Sequence, residues 1–552
     1  MLERIYDFII IGAGSAGCVL ANRLSADSCC SVLVIEAGGM DGQLMMSMPL
    51  ACGKVFYDPA LNWPIASDPE PRADNRIIKL AAGRVIGGGS SINGMIYTCG
   101  HPRDYDRWVQ LGCTSWSYED VLPYFRKAES NWRRESGTHG HSGPLTTSPP
   151  LKDRLFDVFA ETGRKLGYGV TDDFERDGPE GFGLPDTTTH AGRRASTSQR
   201  YLRPALKRAN LTLVCRAQTN RILLEDKHAV GVEYVKNGIV QQARARREVL
   251  LSAGAFNSPK LLMLSGIGPA DHLHEMGIAC AHDLPGVGRN LQDHYGFSVV
   301  YRTRGRMDFD GQMHLDRLTG SVLQWKLTGR GPISGLPLTA IAFLRTREEI
   351  PSPDIELLFT PASLDAQAWF PGWRPANGQK MAISVSLMRP ASSGRVMLRA
   401  ADPSAPPRII LNYLAEPEDR VTLLRAVHLI RTIMRTEPAA SLVERELSPG
   451  VGACDDESVA AHIRATVRSM QHASCTCAMG NGQNSVLDPD LRVRGIAGLR
   501  VADASVMPVV IAGHTNAPTI MIAEKAADLI LGQSFHGAAV GRSAALGAHH
   551  LT

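Results

Sequence analysis

The chain has 552 residues, 44% of them apolar, so it can bury a large core and divides more naturally into two domains than one. Its 59 basic and 55 acidic side chains nearly cancel and form no long like-charged run, although "RARREV" at 244–249 is locally basic, which leaves no footprint for nucleic acid or an anionic membrane. Eleven cysteines follow no framework spacing, the chain opens directly into "IYDFIIIGAG", and no apolar run approaches the ~18 to 20 residues of a membrane span. The expectation is a globular, cytoplasmic protein with free thiols and no membrane span.

In chain order, "YDFIII" predicts a strand buried on both faces, "AGCVLANRLS" a helix, and "SVLVIEAG" at 31–38 a second strand, together a βαβ unit. Gly12, Gly14 and Gly17 fit G-x-G-x-x-G between strand and helix, with Ser15 and Ala16 inside the turn. Glu36 ends the second strand 19 positions after Gly17, followed by Ala37. The first glycine of such a turn makes the bend, the second admits a pyrophosphate to the backbone, and the third lets helix and strand pack. The helix N-terminus faces phosphate, and the acid takes ribose hydroxyls. The alternative is a structural glycine turn, and the motif does not separate FAD from NAD.

Strand-like runs "LTLVC", "RILLE", "AVGVEYV" and "REVLLSAGA" crowd residues 211–255, and the helix-like "SPKLLMLSG" follows. "PGVGRNLQDH" at 285–294 has two glycines of a second fingerprint but no third, and no strong strand precedes it. One nucleotide site favours a flavin that recycles in place over a flavin and nicotinamide pair. Between about 300 and 460 the texture alternates and becomes Pro-rich, as in "DIELLFTP", "MAISVSLMRP" and "RVMLRA". The end returns to "LRVADASVMP" and a helical "APTIMIAEKAADLILG".

The fold class expected is therefore α/β, with two interleaved parts. A discontinuous, Rossmann-like FAD-binding domain takes 1–155, 195–300 and 465–535. A substrate-binding domain takes 156–194 and 301–464, with a mostly antiparallel sheet flanked by helices, and 536–552 is a flexible tail.

"SMQHASCTCAMG" at 469–480 places His472, Cys475 and Cys477 together. Its H-x2-C-x-C spacing is a poor match to zinc patterns, and no second cluster accompanies it, so no metal site is expected. Small buried thiols packing a loop are the better reading of the cysteines, ahead of a redox pair. In "GGGSSINGM" successive small residues let backbone amides approach a flat ring or a phosphate, with Asn93 at the end of the loop; a flexible loop is the alternative.

"GRVIGGGSSINGMIYTCGHPRDYD" at 83–106 and "GAFNSPKLLMLSGIG" at 254–268 resemble the two signature segments of the glucose-methanol-choline (GMC) oxidoreductases. The likeness extends to "IIGAGSAGCVLANRLS", "PGVGRNLQDH", "HASCTCAMG", "LRVADASVMP" and "GHTNAPTIMIAEKAADLI", and is strongest to choline-dehydrogenase-like and other FAD-dependent alcohol dehydrogenase members. It implies a flavin lying along Val85 and Asn93, Gly94, Met95 and Ile96. Ile92 stands where some members attach flavin through a histidine, so FAD is expected to be non-covalent. Thr219 is placed at the adenine, and Asp503 and Ala504 along the ribityl and pyrophosphate. The plainer reading of Asp503 is a turn carboxylate. "NAPT", with Asn516, Ala517 and Thr519, opens a helix whose amides would face the flavin pyrimidine and favour negative charge there.

Oxidising an alcohol requires removal of the hydroxyl proton and transfer of a hydride from the same carbon to flavin N5, so the protein handles the proton and the geometry. An imidazole suits this because it accepts a proton near neutral pH. By resemblance His472 is the general base and His514 the second active-site position. Ala473, Ser474 and Ala478 depart from the proline, glycine and arginine usual nearby. The partners implied are a small-molecule alcohol and an external electron acceptor, whether quinone, dye-like carrier or oxygen. An oxidase forming peroxide and a flavin-containing hydroxynitrile lyase are the alternatives. Residues 300–460 are expected to wall the substrate pocket, with Met313, Trp325, Phe343, Trp369, Phe370 and Trp373 as wall, core or lid. No acidic cluster offers itself to a quaternary ammonium, which argues against choline.

Overall fold

The apolar run near the start of the chain forms the strand Arg4–Ile11, and its last four residues are buried. Val32–Ile35 pairs parallel on one side and Ile239–Leu251 on the other. Leu211–Val214 lies beyond Val32–Ile35, and Leu499–Val501 pairs with the end of Ile239–Leu251, both parallel. An antiparallel meander of His228–Lys236 and Ala217–Glu225 completes seven strands. This computed structural model describes residues 4–133, 137–177, 180–305, 307–362 and 366–533, so the 536–552 tail lies outside the described residues.

Strands so apolar need cover on both faces. The helices Ser15–Leu24 and Asn516–Leu531 share the core of this sheet and pack on each other. Fully buried Glu524 ties them, accepting from Arg23 Nε at 2.8 Å and Nη2 at 2.7 Å and from the Tyr201 hydroxyl at 3.0 Å. A forked guanidinium with a third donor is what a buried carboxylate requires. At the turn before the first helix, Gly12 has φ +98°, and a Cβ there would sit 2.5 Å from the Ser252 carbonyl oxygen. A Cβ on Gly17 would lie 1.9 Å from the Gly12 carbonyl oxygen, so this glycine serves close packing.

The second sheet is wholly antiparallel. Its order is Val443–Ser448, Ser298–Thr303, Lys380–Leu387, Ile355–Thr360, Ala340–Leu344 and Gly181–Gly183. Phe159, Leu423, Val427, Ile430, Val459 and Ile463, from three helices, share a core with Ile355, Leu357, Phe359 and Ile383 of the strands. Alternation along a strand then sends Glu356 and Leu358 to the other face. "RVMLRA" contributes Arg395–Met397 to a separate ribbon with Arg408–Ile410 rather than to this sheet. Tyr295–Gly296 pairs with both Lys380–Leu387 and Arg468–Ser469, bringing the segment after "NLQD" beside the loop that carries His472. An α/β sheet joined to a helix-flanked antiparallel one is the fold class the sequence leads one to expect.

Candidate active site

A cavity of about 410 Å³ runs from the glycine turn to the second sheet. Gly12, Gly14, Ser15, Ala16, Glu36, Ala37, Asn93, Gly94, Met95, Ile96, Thr219, Asp503, Ala504, Asn516, Thr519, His472 and His514 all line it. Three expected residues do not. Gly17 is occupied in packing, Val85 belongs to an apolar cluster with Met46, Val55, Leu61 and Ile92, and Ala517 is part of the main core.

The long end of the cavity fits a dinucleotide. Glu36 accepts from the Ala13 and Gly38 amides at 2.8 and 2.7 Å, fixing the turn, and burial pushes its pKa up. Thr219 Oγ1 is buried at the wall with no hydrogen-bond partner among the described residues. Cβ atoms on Gly89 and Gly94 would meet nothing within 4 Å and would project into space a ligand needs. Ser15 Oγ donates to Asn516 Oδ1 at 2.9 Å, joining the glycine turn to the start of the last helix, which has no side-chain cap on its first amides. Asp503 lines the cavity, but its oxygens accept from Gly254 N at 2.8 Å, Ser258 Oγ at 2.6 Å and Ser505 N at 2.8 Å. It holds a turn, as the plainer reading of it had it.

At the other end stand two imidazoles, His472 and His514, with ring centroids 4.8 Å apart and planes at 84°. Thr98 Oγ1 accepts the His514 amide at 2.9 Å. His472 sits in a loop bracketed by two non-glycine residues of positive φ, Gln471 at 68° and Cys475 at 73°. Such a conformation persists only when surroundings impose it. Ser474 and Gln292 exchange main-chain hydrogen bonds, and Asp293 Oδ1 accepts the His472 amide at 2.7 Å. Asp293 Oδ2 accepts from Tyr413 Oη and Ser469 Oγ, each at 2.5 Å. Burial raises Asp293 to about 6 against these three donors. Burial likewise drives His472 well below its ordinary value, with His514 and His294 adding to the effect. Cys475 and Cys477 are fully buried, and burial pushes both thiols up, so they pack the loop. Of the three departures in this loop, Ala473 faces the cavity while Ser474 is buried in the pairing with Gln292.

Sequence reasoning missed two side chains here. His294 places Nδ1 2.9 Å from His472 Nδ1. Glu356, 1% exposed, accepts from His514 Nε2 at 2.9 Å through Oε1, while its Oε2 is buried without a partner. An acid therefore does stand beside the histidine pair. The signal was available in "DIELLFTP", a charged residue on the alternate face of an otherwise apolar strand. Of the residues open as wall, core or lid, Trp325 and Phe343 are buried in other clusters, and Phe370 and Trp373 are 42% and 60% exposed. Phe56 and Trp63, from the N-terminal part, line the cavity, and among the described residues of 300–460 only Glu356, Leu358 and Pro403 do.

A glycine turn backed by an acid, a long cleft and paired histidines where the two sheets meet define the class of flavin-dependent oxidoreductases. Family models for the GMC oxidoreductases match residues 6–296 and 390–523. The chain belongs to this family. It is 42% identical over 530 residues to the "Oxygen-dependent choline dehydrogenase" of Sinorhizobium fredii, covering 96% of each chain. It is 41% identical over 540 residues to that of Photobacterium profundum, covering 97% of this chain and 94% of the other. Among solved structures, pyridoxine 4-oxidase from Mesorbium loti superimposes with a TM-score of 0.85 at 30% identity, over 95% of this chain and 98% of that one. Aspergillus oryzae formate oxidase does so at 0.89 and 27%, over 97% and 99%. The protein is an FAD-dependent enzyme acting on CH–OH donors, and FAD is the dinucleotide its cavity takes. Ile92, 3% exposed and aliphatic, offers no attachment point. Among the described residues no helix is long and apolar enough to cross a membrane.

Proposed function

We propose that His472 is the general base that takes the hydroxyl proton of a small alcohol, and that His514, oriented by Glu356, holds the substrate oxygen. One observation carries this reading: His472 lines the cavity beside a second imidazole, and the ring's hydrogen bond to His294 is made at Nδ1, which leaves Nε2 for a ligand. Burial holds His472 neutral at physiological pH, so it can accept a proton without first losing one. FAD, when bound, supplies the hydride acceptor. His472→Gln tests the assignment. Anaerobic mixing with alcohol should bleach the flavin absorbance of the wild type and leave the variant unbleached, and equal rates would remove His472 from the role.

The substrate class that suits the site is an alcohol with a cationic head, choline being the first to try. Glu356 Oε2 supplies a buried carboxylate oxygen with no donor among the described residues, and Phe56 and Trp63 supply aromatic surface, one face of Trp63 being covered by Arg84. The names of the relatives agree. The test compares choline with its neutral isostere 3,3-dimethylbutan-1-ol, and equal kcat/KM for the two would sink the cationic class. Electrons leave to a non-nicotinamide acceptor. The names of the relatives favour oxygen, which peroxide release measured against dye reduction checks.

A further inference from the structure

We infer that His294 is the positioning residue that sets the tautomer of His472, keeping the proton on its Nδ1 and its Nε2 lone pair open to the substrate. This rests on the reading of His472 as the base. The two Nδ1 atoms are 2.9 Å apart, so one carries the hydrogen and the other accepts it. Two lone pairs at that distance repel, and two N–H groups collide.

The far side of His294 decides between them. Its ring is fully buried, and its Nε2 has no hydrogen-bond partner within ordinary distance among the described residues. The acceptors available to the ring, with Nδ1 already facing His472, are the main-chain carbonyls of Met388 and Ile511. A carbonyl oxygen attracts N–H and repels a lone pair, so Nε2 keeps the proton. A neutral imidazole has one proton, and Nδ1 therefore presents its lone pair to His472. Burial, with His514 adding to it, pushes His294 down to about 3, so it does not take a second proton. His472 must then donate from Nδ1, and its Nε2 is bare. In the reverse tautomer His472 would show N–H to the hydroxyl and could not accept its proton.

The arrangement is built into consecutive residues. Asp293 holds the main chain of His472 at 2.7 Å, and His294 holds its ring. The amide of Met470 donates back to the His294 carbonyl at 2.8 Å, closing the pairing of the two segments. This is the orienting role that a carboxylate fills in a hydrolytic triad, filled here by a neutral base.

The test uses holoenzyme with ¹⁵N-labelled histidine, the His472 imidazole signals being those lost in His472→Gln. A protonated Nδ1 and bare Nε2 are expected in the wild type. Two variants follow. His294→Leu should slow anaerobic flavin reduction at saturating alcohol by about 10²-fold with FAD content unchanged. His294→Gln, whose amide oxygen can accept from Nδ1, should recover at least tenfold of that loss. A protonated Nε2 on wild-type His472, a leucine variant as fast as wild type, or a glutamine variant no faster than the leucine one overturns the inference. If His294→Leu fails to retain FAD, the wild-type spectrum and the glutamine variant still decide. Failure of the underlying reading looks different, because His472→Gln would then reduce flavin at the wild-type rate whatever the tautomer.

Discussion

Glu356 and His514 come from strands and loops 158 residues apart, yet Oε1 and Nε2 lie 2.9 Å apart at the substrate end of the cavity. One carboxyl oxygen accepts from an imidazole and the other is buried with no donor among the described residues. Glu356→Gln keeps the shape and removes the charge. Turnover of choline should fall by roughly 10- to 100-fold in kcat/KM, on the scale of a lost charge-assisted contact of about 1.5–3 kcal/mol. The neutral isostere should lose much less, and an equal loss for both would show that Glu356 acts only through His514.

His472→Gln is expected to lower the rate of flavin reduction by about 10²- to 10⁴-fold, the range a general base contributes. The FAD spectrum and thermal stability should stay close to wild type, because the His472 side chain makes one hydrogen bond, to His294.

Asp293→Asn puts an amide nitrogen where one of two acceptor oxygens now meets Tyr413, Ser469 or the His472 amide. One buried donor then loses its acceptor, a cost of about 1–3 kcal/mol. A lowered Tm and a lowered kcat are expected together, since the same carboxyl holds the fold and the loop of the base. A wild-type Tm would mean that a donor has found another acceptor.

The two coupled imidazoles also set an acid limit. Burial holds His472 and His294 below the ~6.5 of an unfolded histidine, His294 at about 3, so below pH 6.5 the unfolded chain binds protons that the folded chain does not. Stability from these groups is present above pH 6.5 and is lost as pH falls toward 3. Each contributes a slope approaching about 1.4 kcal/mol per pH unit. Unfolding followed by denaturant at pH 6 and pH 4.5, with FAD in excess, should show a shallower pH dependence in His294→Gln by up to one such slope.

Two glycines separate cofactor binding from folding. Gly89→Ala adds a methyl group to open cavity and should leave the apoprotein as stable as wild type while weakening FAD at least tenfold by fluorescence titration. Gly17→Ala drives a methyl group to 1.9 Å from the Gly12 carbonyl oxygen and should lower apoprotein stability itself by about 1–3 kcal/mol. The opposite pattern would mean that the cofactor does not pass Gly89.

Local signals carried much of the cofactor site. The glycine spacing, the acid after the second strand and the apolar runs each report a backbone requirement that neighbours in sequence satisfy, and Gly12, Gly14 and Glu36 stood out for that reason, whereas Thr219 was placed only by resemblance to the family. From its own residues Asp503 was readable as a turn carboxylate, because Ser505 of its own turn is one of its donors while the other two, Gly254 and Ser258, lie on one helix 245 or more residues away. The aromatic residues of 300–460 stayed open between wall, core and lid because an aromatic residue is equally at home in a core: Trp325 and Phe343 are buried away from the cavity that Phe56 and Trp63 line.

By itself the sequence determined the α/β fold class with its second, antiparallel sheet and the family, and its likeness to that family pointed to His472 and His514. These depend on periodicity and on motifs contained within a few consecutive residues. Tertiary structure alone decided what surrounds the pair: His294 against one imidazole across 178 residues, and Glu356 against the other. A hydrogen bond is satisfied over about 3 Å of space whatever the length of chain between its ends, so such partners are fixed by the packing of the two sheets and leave no mark in local spacing.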